Sequence, residues 1–337
     1  MIRFALLLAI AMVWVADKSA ATPPDASMTA AADYSQAHHG QTMIVIFDGK
    51  VVFERYDNGG SADRVQMLAS GSKSFVGVAA VAAVQDGIIN LDDLVSESIT
   101  EWADQPQKAN ITYRQLLTLT SGLTPSEHPV RAPSWKEIID KPMSSNPGER
   151  FGYGANQLNT FAYALQQKLE NESFEAYLDR RILNRIGVSV QWRFRCADGH
   201  PQVGGGAFMT ARDWATFGEF IRRNGEWDGV QVVDSQLLTE CFRGTDQNPA
   251  YGLTWWLKKP VTAELRRKIP VLSSEWGDVA NADWVPADLV AACGAGKQRL
   301  YVIPSLKMVI VRQGGLGRGF SDIEFLRLLL RHESAAK

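Results

Sequence analysis

Ser70 and Lys73, in the run Ser70-Gly71-Ser72-Lys73, form a pair of side chains suited to covalent chemistry. A hydroxyl three residues ahead of an amine meets it on one face when the run opens a helix. The first helical amides and the positive end of the helix dipole then favour negative charge developing at the serine oxygen. Burial of Lys73 beside Phe75, Val76 and Val78 would disfavour the charged amine, and a neutral amine can take the serine proton. The chemistry implied is acyl transfer through a serine ester. The same spacing also describes an ordinary helix start with serine as cap and lysine in solvent. A second match, Ser334-Ala335-Ala336-Lys337, occupies the last four residues and is read as accidental.

Other chemistries lack their motifs. The chain has no Walker A run, GxGxxG, HExxH or GxSxG, which sets aside the usual NTPases, dinucleotide enzymes, zincins and standard α/β-hydrolases. Cys196, Cys241 and Cys293 lie far apart with no CxxC pair, so neither a zinc site nor a disulfide framework is expected, and an odd number leaves at least one thiol without an internal partner. No metal or cofactor is expected. Lys and Arg number 35 against 37 Asp and Glu, for a net charge of −2; without a basic surplus, nucleic acid is not an expected partner.

The elements that must position Ser70 can be read on either side of it. Two β-branched runs flank Asp48-Gly49-Lys50, a hairpin signal. A largely buried helix is expected from Ser70 to Gln85, with a stop at Asp86-Gly87. Thr112-Tyr113-Arg114-Gln115 and Ser321-Asp322-Ile323-Glu324 have capping-box spacing, and Gly204-Gly205-Gly206 precedes a helix from Thr210 to Arg223. Residues 298–303 and 307–312 read as strands. Strands at both ends with helices between give an α+β class: an antiparallel sheet built from N- and C-terminal parts, flanked by helices, with a helical insertion. The domain division is residues 22–70 and 246–337 for the sheet and 71–245 for the helical part, with a cleft at the junction.

At the N-terminus, Arg3 precedes an apolar run over residues 4–15, followed by Ser19-Ala20-Ala21. This is the layout of a signal peptide over residues 1–21; the apolar run is too short to span a bilayer. The mature protein is expected in the periplasm or secreted, with no stable membrane insertion. Residues 22–40, containing His38-His39, read as a mobile leader.

Six blocks carry a family resemblance. The run from Leu68-Ala69-Ser70 to Ser74-Phe75, then Leu91-Asp92-Asp93, then Ile111 to Leu123 resembles the serine β-lactamase superfamily, in its class C-related branch of penicillin-binding proteins, esterases and 6-aminohexanoate-dimer hydrolases. Pro147-Gly148-Glu149-Arg150-Phe151-Gly152-Tyr153, the block from Gly204 to Asp213, and Tyr251-Gly252-Leu253-Thr254-Trp255-Trp256 continue the family's order. The resemblance implies the β-lactamase/transpeptidase-like fold, with Ser70 as acylated nucleophile, Lys73 as proton acceptor and Tyr153 as proton shuttle to the leaving group. The family's asparagine two residues after that tyrosine is replaced by Ala155, with Asn156 following as a substrate-binding candidate.

Counting back from Tyr301-Val302-Ile303-Pro304, the family's Lys-Thr-Gly or His-x-Gly motif falls at Ala292-Cys293-Gly294, which has neither cation. The amide at Ala295, next to Gly294, can still serve with that of Ser70 as an oxyanion hole, because main-chain donors depend on strand geometry. Lys297 either supplies a nearby cation or lies in solvent, and His200 is either a pocket residue or a loop histidine. Cys293 has no neighbouring base and is expected to pack within the sheet. Trp255 and Trp256 point to opposite faces of a strand, so one of them at most lines a pocket.

The reading is an exported serine hydrolase that forms an acyl-enzyme on a small ester or linear amide, for want of the third-motif cation. The alternative within the family is a β-lactamase or D-alanyl-D-alanine peptidase. A non-catalytic peptidoglycan- or partner-binding protein is the alternative of another class, and intact Ser70, Lys73 and Tyr153 speak against it.

Overall fold

Asp48 and Gly49 both adopt left-handed backbone, with φ of 47° and 82°, as a tight two-residue hairpin requires. Strand β1 (Gly40–Phe47) thereby folds back antiparallel on β2 (Lys50–Tyr56). The computed structural model describes residues 20–125 and 132–331. The signal peptide read over residues 1–21 lies almost wholly outside them, as does the second Ser-x-x-Lys match.

The remaining strands of the main sheet are β3 (Trp256–Leu257), β4 (Val290–Gly294), β5 (Gln298–Ile303) and β6 (Met308–Gly314). Their order is β2-β1-β6-β5-β4-β3, with antiparallel pairing throughout. The first strand pairs with the last, so the sheet joins the two ends of the chain and the fold is α+β, as its sequence pattern implies. Strands β4, β5 and β6 are buried along their whole length because helices cover both faces.

Successive strand residues point to opposite faces. On the face carrying Arg299 and Tyr301 lie helices α1 (Asp25–Ala37) and α6 (Asp322–Leu330). The other face, carrying Leu300 and Val309, takes helix α5 (Ala211–Arg222). Gly218 lets α5 settle closely: a Cβ there would sit 2.6 Å from both Leu300 and Val309. Helices α2 (Lys73–Gln85), α3 (Asn156–Lys168) and α4 (Phe174–Arg181) fall in the chain between the sheet's N- and C-terminal strands and pack against one another.

Three expectations need correction. Residues 22–40 are not a mobile leader, since α1 buries Met28, Ala31, Ala32 and Ser35; a face built of alanine gives little apolar periodicity to read. The helix expected from Ser70 begins as a 3₁₀ turn, Ala69–Ser72, and becomes α-helical at Lys73. Ser321 caps nothing with its side chain: its N–H donates to Tyr34 Oη at 2.8 Å, Asp322 is held by Arg299, and Glu324 by Arg327. By contrast, Thr112 and Gln115 do form their capping box.

Candidate active site

The chain enters the Ser70 turn through Ala69, whose φ of 48° places a non-glycine residue in the left-handed region. Such strain costs about 1–3 kcal/mol and persists only where neighbours over-determine it. Here they do. The Leu68 N–H donates to Ala207 O at 2.9 Å, and the Gly71 N–H donates to Leu68 O at 2.9 Å. Ser72 Oγ donates to Ala69 O at 2.6 Å and accepts the Ala207 N–H at 3.1 Å. In a 3₁₀ turn residues i and i+3 eclipse, which brings Lys73 over Ser70: Lys73 Nζ lies 3.0 Å from Ser70 Oγ.

Lys73 is 3% exposed, and its Nζ also donates to Gly204 O. Burial pulls its pKa down from the ordinary 10.5 to about 7, so a substantial share of the amine is neutral near physiological pH and free to accept a proton. The approach of the glycine run depends on Gly204, where a Cβ would sit 2.5 Å from that of Ala155.

Tyr153 faces the same amine, with its ring centroid 5.0 Å from Lys73 Nζ. Its position is set by the segment before it: the Gly152 N–H donates to Leu119 O at 2.8 Å, and Gln157 Nε2 donates to Gly152 O at 2.6 Å. The Tyr153 ring packs against Trp256 at 5.6 Å and Tyr251 at 6.1 Å. Trp255 turns the other way, onto Phe217 and Phe242, so of the tryptophan pair only Trp256 borders the site.

The end of β4 closes the arrangement. Gly294 lies against the Ser70 turn so tightly that a Cβ would stand 2.0 Å from Leu68 O and 3.1 Å from Gly71 N. Among the described residues, neither the Ser70 N–H nor the Ala295 N–H donates to another backbone or side-chain group. Ser70, Lys73, Tyr153, Gly294 and Ala295 are thus gathered on the Ala69–Ser72 turn, the start of α2, the 151–153 segment and the end of β4.

Other candidates lie elsewhere or are committed to other partners. His200 stacks on Trp135 at 4.2 Å, which places it as a loop histidine packed on a neighbouring helix. Asn156 opens α3 with Nδ2 donating to Thr124 O at 2.8 Å, while its buried Oδ1 has no partner among the described residues. Lys297 does not lie free in solvent: Nζ is 3.7 Å from Asp322 Oδ2 and 3.5 Å from Ser274 O. Cys293 is buried in β4, and none of the three cysteines forms a disulfide among the described residues. No cluster of metal-binding side chains occurs among the described residues, and none of their helices is long and apolar enough to cross a membrane.

A profile of the beta-lactamase family matches residues 25–312. The chain therefore belongs to that family, and it is a serine hydrolase. It is 21% identical over 299 residues to an uncharacterized protein of Alkalihalophilus pseudofirmus, covering 81% of this chain and 83% of that one. To the lovastatin esterase of Penicillium rubens it is 26% identical over 226 residues, covering 53% and 56%. Among solved structures, a D-alanine carboxypeptidase from Burkholderia cenocepacia aligns with a TM-score of 0.67 at 17% identity, covering 90% of this chain and 96% of its own. A D-stereospecific amidohydrolase from Streptomyces aligns with a TM-score of 0.67 at 13% identity, covering 91% and 99%.

Sequence reasoning did not foresee the strained Ala69, the Gly204 carbonyl or Tyr251. It also missed two buried arginines beneath β4. Their signal was present: Arg299 and Arg312 are charged residues within strands that are buried along their whole length.

Proposed function

We propose that the protein is an exported acyl-enzyme hydrolase of small esters or linear amides. Ser70 Oγ bonds to the substrate carbonyl carbon as its proton passes to the neutral Lys73 amine, and the carbonyl oxygen becomes an oxyanion facing the Ser70 and Ala295 amides. The ester or amide bond then breaks, the leaving group takes the proton by way of Tyr153, and water releases the acyl group by the same steps in reverse order. The observation that carries this reading is the 3.0 Å contact between Ser70 Oγ and a buried Lys73 amine with a pKa of about 7.

An ester or neutral amide is favoured because Ala292-Cys293-Gly294 brings no cation and Lys297 is engaged with Asp322 and Ser274. The esterase relative supports the ester reading. A fluorophosphonate probe should label the mature protein at Ser70, and Ser70→Ala should abolish both labelling and p-nitrophenyl ester hydrolysis. Labelling elsewhere, or turnover that survives Ser70→Ala, would sink the assignment. Export is tested separately: mass spectrometry of the secreted or periplasmic protein should find Thr22 as the first residue, and an intact Met1 on membrane-bound protein would make the segment an anchor.

A further inference from the structure

Arg299 and Arg312 are wholly buried, with 0% exposure, and stand directly opposite each other on β5 and β6. Like charges placed this way repel. The carboxylate that meets Arg299 is Asp322, whose Oδ2 accepts from Arg299 Nη2 at 3.0 Å and whose Oδ1 accepts from Arg299 Nε and from Tyr301 Oη. Lys297 approaches the same carboxylate. Burial pulls the Arg312 guanidinium down to about 10. Apolar residues in place of a buried ion pair are often neutral or stabilising, so packing alone does not account for two buried guanidiniums.

Their acceptors suggest a different role. Arg299 Nη1 donates to Gly294 O and to Gln298 O, each at 3.0 Å. Arg312 Nη1 donates to Gly296 O at 3.1 Å and to Lys297 O at 2.8 Å, while its Nε and Nη2 reach Ser35 Oγ and His38 O of the α1 end. Four carbonyls of the turn from Gly294 to Gln298 are thus gripped by two planar forks. The turn needs holding, since Gly296 and Lys297 both have positive φ, 74° and 56°, a conformation that disfavours lysine. The Gly294 C=O and the Ala295 N–H belong to one rigid peptide plane and point in opposite directions. Fixing that oxygen fixes the direction of the N–H.

We propose that Arg299 and Arg312 are positioning residues that preorganise the oxyanion hole, aiming the Ala295 N–H at the acyl carbonyl of Ser70 by binding the turn's carbonyls from behind. The proposal rests on the reading of Ser70 as nucleophile and Ala295 as oxyanion donor. Removing one oxyanion donor typically lowers kcat by 10²–10³. Lysine at position 299 keeps the charge beside Asp322 but loses the planar fork; misaiming the donor should lower kcat on a neutral p-nitrophenyl ester by about 10- to 100-fold with KM little changed. A boronic acid, which forms a tetrahedral adduct on serine, should lose affinity by a similar factor.

The same losses should follow Arg312→Lys, and the double variant should lose less than the product of the two, because both act on one turn. Unchanged kcat and boronate affinity in folded Arg299→Lys and Arg312→Lys would overturn the proposal. Should neither variant fold, amide relaxation of the unmodified enzyme decides: the Ala295 N–H should be as rigid before boronate binds as after it, with an order parameter near 0.85. An amide that becomes ordered only in the adduct would refute preorganisation. Failure of the fluorophosphonate to label Ser70 in the unmodified enzyme would remove the underlying reading and this inference with it; labelled enzyme with unaffected arginine variants would remove only the inference.

Discussion

Two buried cationic regions lie on either side of the β4 end, and they behave in opposite ways. Lys73 is buried with no carboxylate beside it among the described residues, and desolvation pulls its pKa to about 7. Arg299 is buried just as deeply: desolvation would lower its pKa too, but Asp322 overrides it and holds the pKa well above the ordinary value. An unpaired buried amine becomes a base; a paired buried guanidinium remains a fixed charge that can hold carbonyl groups. Side-chain chemistry fits each role, because an ammonium gives up its proton readily when buried and a guanidinium does not. The molecule thus has a titratable amine next to Ser70 and a permanently charged guanidinium behind the end of β4.

The largest expected effect comes from removing the first cation. Lys73→Met should lower kcat/KM on esters by roughly 10⁴ or more, as losses within a nucleophile–base unit do, yet it should not unfold the protein. In the unfolded chain Lys73 keeps its ordinary value of 10.5, against about 7 in the fold. Between pH 7 and 10.5 the unfolded state binds more protons, so Lys73 makes stability rise with pH across that window, and its penalty is fullest below pH 7. Lys73→Met should therefore raise stability at pH 6 by about 0.5–2 kcal/mol, read as a higher Tm, with the gain shrinking toward pH 10. A lower Tm at pH 6 would show that the amine's contacts to Ser70 and Gly204 outweigh its desolvation. In the unmodified enzyme, kcat/KM should rise with pH through an apparent pKa of about 7; a flat profile from pH 5 to 9 would deny Lys73 the role of base.

Breaking the second region should reverse that pattern. Asp322→Ala leaves Arg299 buried without its carboxylate, and removing one partner of such a pair costs about 3–5 kcal/mol. The Tm should fall by roughly 10 °C, whereas Lys73→Met raises it. Burial alone would push the Asp322 carboxyl up, but Arg299 and Lys297 hold it below its ordinary 3.8. Its contribution is therefore present above pH 3.8 and is lost as the pH falls below that; the Tm difference between the unmodified protein and Asp322→Ala should narrow only in strong acid. An equal Tm at pH 7 would mean that the charged cluster contributes nothing to the fold.

How much of this was legible in the sequence depends on how local each feature is. Ser70 and Lys73 could be paired from sequence because i and i+3 spacing is local, and Asp48-Gly49 marked its hairpin for the same reason. Tyr153 lies 80 residues beyond Lys73 and was found only through its motif. The β4 end was harder still: Gly294 meets Leu68 through sheet closure between the chain's two ends, which no local pattern encodes. Helix α1 was missed because alanine both packs a core and fills a linker. Lys297 was misjudged because its partner, Asp322, sits on a helix read only as an amphipathic terminus with a serine cap. The left-handed φ at Ala69 leaves no trace in residue type, since alanine is a poor choice for that region.

The smallest effect concerns selectivity, and it would sharpen the contrast by adding a third cation where none now stands. Ala292 and Gly294 share a face of β4, and Gly294 lies against the Ser70 turn; Cys293 pairs across the strands with Arg299 and so faces the other way. A lysine at position 292 is thus the substitution that projects toward the Ser70 side. A substrate with a carboxylate beside its scissile carbonyl now finds no partner there, and a charge-assisted hydrogen bond contributes about 1.5 to 3 kcal/mol. Since about 1.4 kcal/mol is a factor of 10 in rate, Ala292→Lys should raise kcat/KM for nitrocefin relative to a neutral p-nitrophenyl ester by roughly 10- to 150-fold. Efficient nitrocefin hydrolysis by the unmodified protein would break the premise. It would direct attention to Arg150 and Lys268, which line a cavity beside Phe151 and Gly152. Lys268 is 69% exposed and paired with Glu264, so solvent screens it, and a substrate anchored there should lose affinity as ionic strength rises, whereas one held by lysine at position 292 should not.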